Sequence, residues 1–172
     1  MKFLINLLAV TFLAGIYSAN AQSNLSDPEV AAVAVAANQI DVKNGELAKT
    51  KSKNSEVINF AETMIRDHNA VLGQATDLVK KLNVTPKENA LSEKLTSDAD
   101  ATRKSLGSKS GAAFDKAYVD NEVAYHKAVI DAVKNVLIPD TDNAELKQLL
   151  TDILPALNTH LEHAQMLQKK MK

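Results

Sequence analysis

From Val57 to Leu82 the chain returns to one face by alternating steps of four and three residues: Val57, Ala61, Met64, His68, Val71, Ala75, Leu78 and Leu82. An α-helix brings such a set into a single stripe, and an apolar stripe needs a partner to cover it. The alternation recurs near the C-terminus at Leu146, Leu150, Ile153, Leu157, His160, Ala164, Leu167 and Met171. Between these segments Val119, Glu122, His126, Val129, Val133 and Val136 form a third seam, with Phe114, Tyr118 and Tyr125 on the adjoining face. A fourth, alanine-rich stripe holds Val30, Ala34, Ala37, Asp41, Asn44 and Ala48. Five glycines and four prolines in 172 residues leave little material for a turn-rich β architecture. The fold class is all-α.

Start and stop signals divide the chain into five helices, four of them long. Ser26, Pro28 and Glu29 form a capping-box pattern for the first. Asn54 or Ser55 caps a second that runs to about Leu82. Thr85, Pro86 and Glu88 repeat the pattern and predict a shorter third helix ending near Gly107. Ser110 caps a fourth from Gly111 to about Leu137, where Pro139 breaks it, and Asp142 with Glu145 opens a fifth that reaches the C-terminus. Pro155 lies inside that last helix and predicts a bend. The first and second helices are joined by a short link, as are the fourth and fifth, so each pair reads as an antiparallel hairpin. The long segment between the hairpins carries the short third helix as a crossover. Two hairpins with one long crossover make a four-helix bundle of ferritin-like arrangement.

Residues 1–21 read as a signal peptide. Lys2 supplies positive charge, residues 3–13 are apolar apart from Asn6 and Thr11, and Ala19-Asn20-Ala21 is a small-x-small cleavage pattern. The apolar run is shorter than the ~20 residues that span a bilayer. Residues 22–172 then form one helical domain, placed in the periplasm or secreted, with no segment suited to crossing a membrane.

Several chemistries are excluded. The chain has no cysteine, hence no disulfide, thiolate site or lipid-bearing N-terminal cysteine. Twenty basic against 21 acidic residues give no nucleic-acid footprint. There is no Gly-rich phosphate loop, no Gly-x-Ser-x-Gly elbow and no His-Glu-x-x-His. Seven aromatic residues offer few stacking platforms.

What stands out is polarity inside the seams. His68, His126 and His160 each occupy a stripe position where leucine is the ordinary choice. Glu122 lies one turn before His126 on the same face, and Asp41 interrupts the first stripe. Inward carboxylates and histidines on facing helices are how bundle metal sites are built. Counting residues from the turns places Asp41 at the level of His68, and His160 nearer Glu122 than His126. Neither Glu-x-x-His motif of a di-iron bundle is present, since Tyr125 follows Glu122 and Ile65 follows Glu62 at that spacing. Of zinc, copper and iron, the imidazole-rich set suits zinc or copper better. His163, three residues after His160, has ligand-like spacing, and Met64 and Met166 are candidate soft ligands for copper, although methionine at such spacing also serves as core filler. The competing expectation is structural: seam histidines paired with carboxylates to set register. On that reading Asp67 is a surface residue.

The stretch Phe60-Ala61-Glu62-Thr63-Met64-Ile65-Arg66-Asp67-His68 resembles the "FA..M..DH" signature of exported ferritin-like proteins grouped as domain of unknown function 4142. Residues 111–118, with Gly111, Phe114, Asp115 and Tyr118, are similar to that family's "G.aFD..Y" block, and His126 follows. Leu154-Pro155 with His160-Leu161 matches its "LP....HL" ending. Where the family commonly has a glutamate four residues before a glycine, this chain has Asp41 before Gly45. The likeness covers roughly residues 28–168. It implies a ferritin-like bundle, export and peripheral association with the cell envelope, and it implies no settled activity. The expected function is a non-catalytic exported bundle protein binding a transition metal through His68, His126 and His160 with Asp41 or Glu122. The alternatives are a metal-dependent oxidoreductase of ferritin-like type and a purely structural or partner-binding envelope protein.

Overall fold

The computed structural model describes residues 24–171; the expected leader, residues 1–21, lies outside them. The first helix, α1 (Asp27–Lys51), opens on the expected cap: the Glu29 carboxylate accepts from the Ser26 amide at 3.0 Å and from its hydroxyl at 2.7 Å. A short link, residues 52–54, reverses the chain into α2 (Ser55–Lys81), whose first turn is capped by Asn54 accepting from the Glu56 amide. α1 and α2 pack along their length. They approach closely at Gly45, where a Cβ would stand 2.9 Å from Ile65 Cγ1 and 3.0 Å from the Ala61 carbonyl oxygen. Glycine lets the two backbones close up one turn from Asp41.

The third helix starts later than its sequence signals predict. α3 (Ala90–Gly107) is capped by Asn89, which accepts from the Leu91 and Ser92 amides, and Thr85 and Pro86 belong to the connection. That connection is tied across the start of α1: the Lys87 amide donates to the Pro28 carbonyl and the Asn89 side-chain amide to the Glu29 carbonyl. Tertiary hydrogen bonds thus hold residues 84–89 in a non-helical connection against a local capping pattern. α3 then lies along α1.

α4 (Gly111–Ala132) begins on Gly111 at φ +55°, a conformation that glycine adopts without strain. Pro139 does not stop it at Leu137. A π-helical turn, Val133–Leu137, carries the Ile138 amide to the Val133 carbonyl, and one more turn, α5 (Ile138–Asp140), contains the proline. Widening the turn before a proline accommodates its missing N–H and its ring within a continuing helix.

The single C-terminal helix expected from periodicity is two. α6 (Ala144–Asp152), capped by Asn143 rather than Asp142, gives way at Ile153 to α7 (Leu154–Lys170), with Pro155 in its first turn. The Asp142 and Asn143 amides instead bond the Asp27 carboxylate at the head of α1. α4 packs on α7, with further contacts of α1 to α4 and α2 to α7, so the molecule is a helical bundle without strands among the described residues. No described helix is long and apolar enough to cross a membrane.

Candidate metal centre

The four long seams change from apolar to polar at one common level. On one side lie Phe60, Met64, Phe114, Tyr118 and Leu167, and on the other Val30, Val33, Ile130, Leu150 and Leu157. Between them α1 contributes Asn38 and Asp41, α2 His68, α4 Glu122 and His126, and α7 His160, all buried. One ligating atom from each of His68, His126 and His160 lies within 4.8 Å of the other two. Their ring centroids are 5.3 to 5.8 Å apart. Asp41, Glu122 and His126 form a second group of the same tightness, sharing His126 with the first.

Each imidazole commits one nitrogen to a protein oxygen. His68 Nδ1 is 2.8 Å from Asn38 Oδ1, His126 Nδ1 is 3.0 Å from the Glu122 main-chain oxygen, and His160 Nε2 is 3.0 Å from Asp67 Oδ2. Asn38 is held in that orientation because its amide donates to the Ala34 carbonyl at 2.8 Å. Carbonyl and ionised carboxylate oxygens only accept, so these three nitrogens carry the protons in the neutral rings. The lone pairs are left on His68 Nε2, His126 Nε2 and His160 Nδ1. All three atoms are buried without a hydrogen-bond partner, and so are both carboxylate oxygens of Asp41. Asp41 Oδ2 stands 3.1 Å from His68 Nε2 and 3.5 Å from His126 Nε2, close but out of hydrogen-bond alignment.

Those are the separations an ion requires. Donors on a tetrahedral metal with bonds of ~2.0–2.1 Å stand roughly 3.3 Å apart. Ligating histidines also characteristically donate their other ring N–H to a carboxylate or carbonyl, which fixes the tautomer. The residues present therefore fit a cation held by the imidazoles of His68, His126 and His160, with the Asp41 carboxylate at ligand spacing from two of them.

The electrostatics lean the same way. Burial pushes the Asp41 carboxyl up, but His68 and His126 beside it outweigh this and hold it below the ordinary range. Burial, then the Asp41 charge, drives Glu122 well above the usual carboxylate range, favouring its protonated form. Burial lowers His126 and His160, which favours neutral rings able to ligate. Burial also works to lower His68, yet Asp41 and Asp67 raise it on balance.

All five residues singled out in the sequence, Asp41, His68, Glu122, His126 and His160, meet at this level. The expected depth of His160 is wrong: it groups with His68 and His126, not with Glu122. The residue count assumed two continuous α-helices, whereas a π turn, the 138–140 turn and the break at Ile153 intervene. His163 is elsewhere, with its ring edge-on to Phe60 at 5.0 Å, and Met64 is core while Met166 is exposed. Asp67 is not merely a surface group, since it joins His160 to Arg66, whose Nε lies 2.8 Å from its other oxygen. Alongside the polar level a cavity of about 1000 Å³ extends among α1, α2, α3, α4, α6 and α7.

The family model described as Domain of unknown function (DUF4142) matches residues 15–167. The chain belongs to this family. No curated protein sequence matches it. Among solved structures, CopM in the Cu(II)-bound form superposes on this DUF4142 protein with a TM-score of 0.65, covering 86% of this chain and 99% of that one at 13% identity. At that identity the likeness is one of fold.

Proposed function

We propose that this DUF4142 protein is an exported, single-domain bundle of ferritin-like arrangement that holds a transition metal, copper by preference, without catalysing a reaction. The observation that carries the reading is the set of three lone-pair nitrogens, from His68, His126 and His160, buried without partners, with the Asp41 carboxylate beside the first two. Glu122 sits behind Asp41 and His126 as a neutral acid, the less suited of the two carboxyl groups to ligate. Imidazole suits copper and zinc, and copper(II) binds most tightly of the divalent first-row ions. The Cu(II)-bound state of the similarly folded CopM supports copper over zinc or iron. Residues 1–21 would direct export, and peripheral attachment to the envelope is consistent with the lack of a spanning helix among the described residues.

The test is metal content by mass spectrometry of protein purified without chelator, joined to thermal shifts with copper, zinc and iron. Near-stoichiometric metal, lost in His126→Ala and in His160→Ala, is the expected result. Metal-free protein showing no thermal shift with any of the three would overturn the reading. A second reading, a metal-dependent oxidoreductase, is favoured by one feature, the cavity that reaches the histidines. It requires oxidation or peroxide turnover that falls in His160→Ala.

A further inference from the structure

The cavity is more than an approach to the histidines. Its walls are aliphatic over most of their extent: Val33 and Ala37 from α1, Leu91 and Leu95 from α3, and Val129 and Ala132 from α4. Leu150 of α6 and Ala156 and Leu157 of α7 close the far side. Of its polar groups, Asn38, Asp41, Asp67, His68, His126 and His160 form a floor at the polar level, while Asn89, Lys127 and Asp131 also line it. At about 1000 Å³ it stands at the upper end of the ~300–1000 Å³ typical of small-molecule sites, which are likewise apolar with a few convergent polar groups. Water is poorly suited to the aliphatic part, because a bound water needs two to four polar partners.

Two features show that the space is built rather than left over. The π turn Val133–Leu137 faces it through Val133, Val136 and Leu137, and such turns in otherwise regular helices concentrate at functional sites. Small side chains recur along the facing helices, with Ala34 and Ala37 on α1 opposite Ala124, Ala128 and Ala132 on α4, all only partly buried. Larger apolar residues at these positions would fill the space.

From this geometry we infer that the cavity binds a neutral amphiphile, a hydrocarbon body with one hydroxyl head set against the histidine floor. The length and apolar lining select the body. The floor offers the unpartnered imidazole nitrogens and the Asp41 carboxylate, groups that accept from a hydroxyl and repel an anionic head. The inference does not depend on a metal being bound.

The experiment follows Nile red fluorescence on purified protein freed of metal with chelator, with 1-dodecanol and dodecanoate as competitors below their aggregation concentrations. Nile red should bind saturably, 1-dodecanol should displace it, and dodecanoate should need at least about fivefold more at neutral pH. Ala128→Phe and, separately, Ala156→Leu fill the cavity from opposite walls. Each should weaken dye binding about tenfold or more while helix content by circular dichroism stays that of wild type. Neither alanine supplies a ligand atom, so both variants should keep any copper response of the wild type. Dye binding unchanged in both folded variants, or dodecanoate as the stronger competitor, would overturn the inference.

Discussion

Asp67 contacts the site only through His160, which makes it the sharpest residue-scale test of how the imidazoles are held. Its carboxylate takes the Nε2 proton and thereby presents His160 Nδ1 to the cluster. Removing a hydrogen-bond partner of a ligating histidine typically costs ~10–100-fold in metal affinity. Asp67→Ala should therefore weaken copper binding by about that factor in a competition titration, with helix content unchanged, because the side chain is one-third exposed. Affinity within twofold of wild type would show that His160 is not held by Asp67 for ligation. The sequence made His68, His126, His160 and Asp41 visible because each interrupts an apolar stripe. It hid Asn38 and Asp67 for the opposite reason. Both lie beside the stripes, where polar residues are ordinary, and each gains its role from a ring on another helix. Only the packing reveals such partners.

The elements were legible where local chemistry decides them. The head of α1 is one example: Ser26, Pro28 and Glu29 spell a capping box, and the structure forms it. The Ser26 hydroxyl and amide, with Lys87 nearby, bring the Glu29 carboxyl down to about 2 from 4.5. A depressed carboxyl pKa contributes stability that is complete above the ordinary value and lost as pH falls through the folded one. The melting-temperature gap between wild type and Glu29→Gln should thus hold steady above about pH 5 and close towards pH 2. A gap that persists undiminished at pH 2 would contradict the cap. Elsewhere local signals lost to tertiary ones. Thr85 and Pro86 carry a good cap pattern, yet hydrogen bonds to Pro28 and Glu29 keep that segment out of the helix. Pro139 reads as a stop, yet the preceding π turn absorbs it. Periodicity from Leu146 to Met171 is unbroken across Ile153, although the helix itself breaks there. A stripe reports which face is buried, not whether the helix beneath it is continuous.

At the scale of the whole molecule, the polar level is a cost that the rest of the bundle carries. Two apolar clusters flank it, and a layer of carboxylates and imidazoles separates what would otherwise be one core. Replacing a buried polar cluster by apolar side chains of similar size is often neutral or stabilising by about 1–4 kcal/mol, whereas deleting one partner strands the others and costs about 3–5 kcal/mol. This separates a register device from a ligand site. His68→Leu alone leaves the Asp41 charge without its main partner and should lower the stability of the metal-free protein in chemical denaturation. Replacing Asp41, His68, His126 and His160 together by leucine should instead match or exceed the metal-free wild type. The fourfold variant should also lose all copper-dependent stabilisation, which in wild type grows with free metal above its dissociation constant and reaches about 2.7 kcal/mol at a hundredfold excess. If the fourfold variant fails to fold into a unique bundle, the polar level specifies register. If it folds more stably and ignores copper, the chain retains these side chains for what they hold.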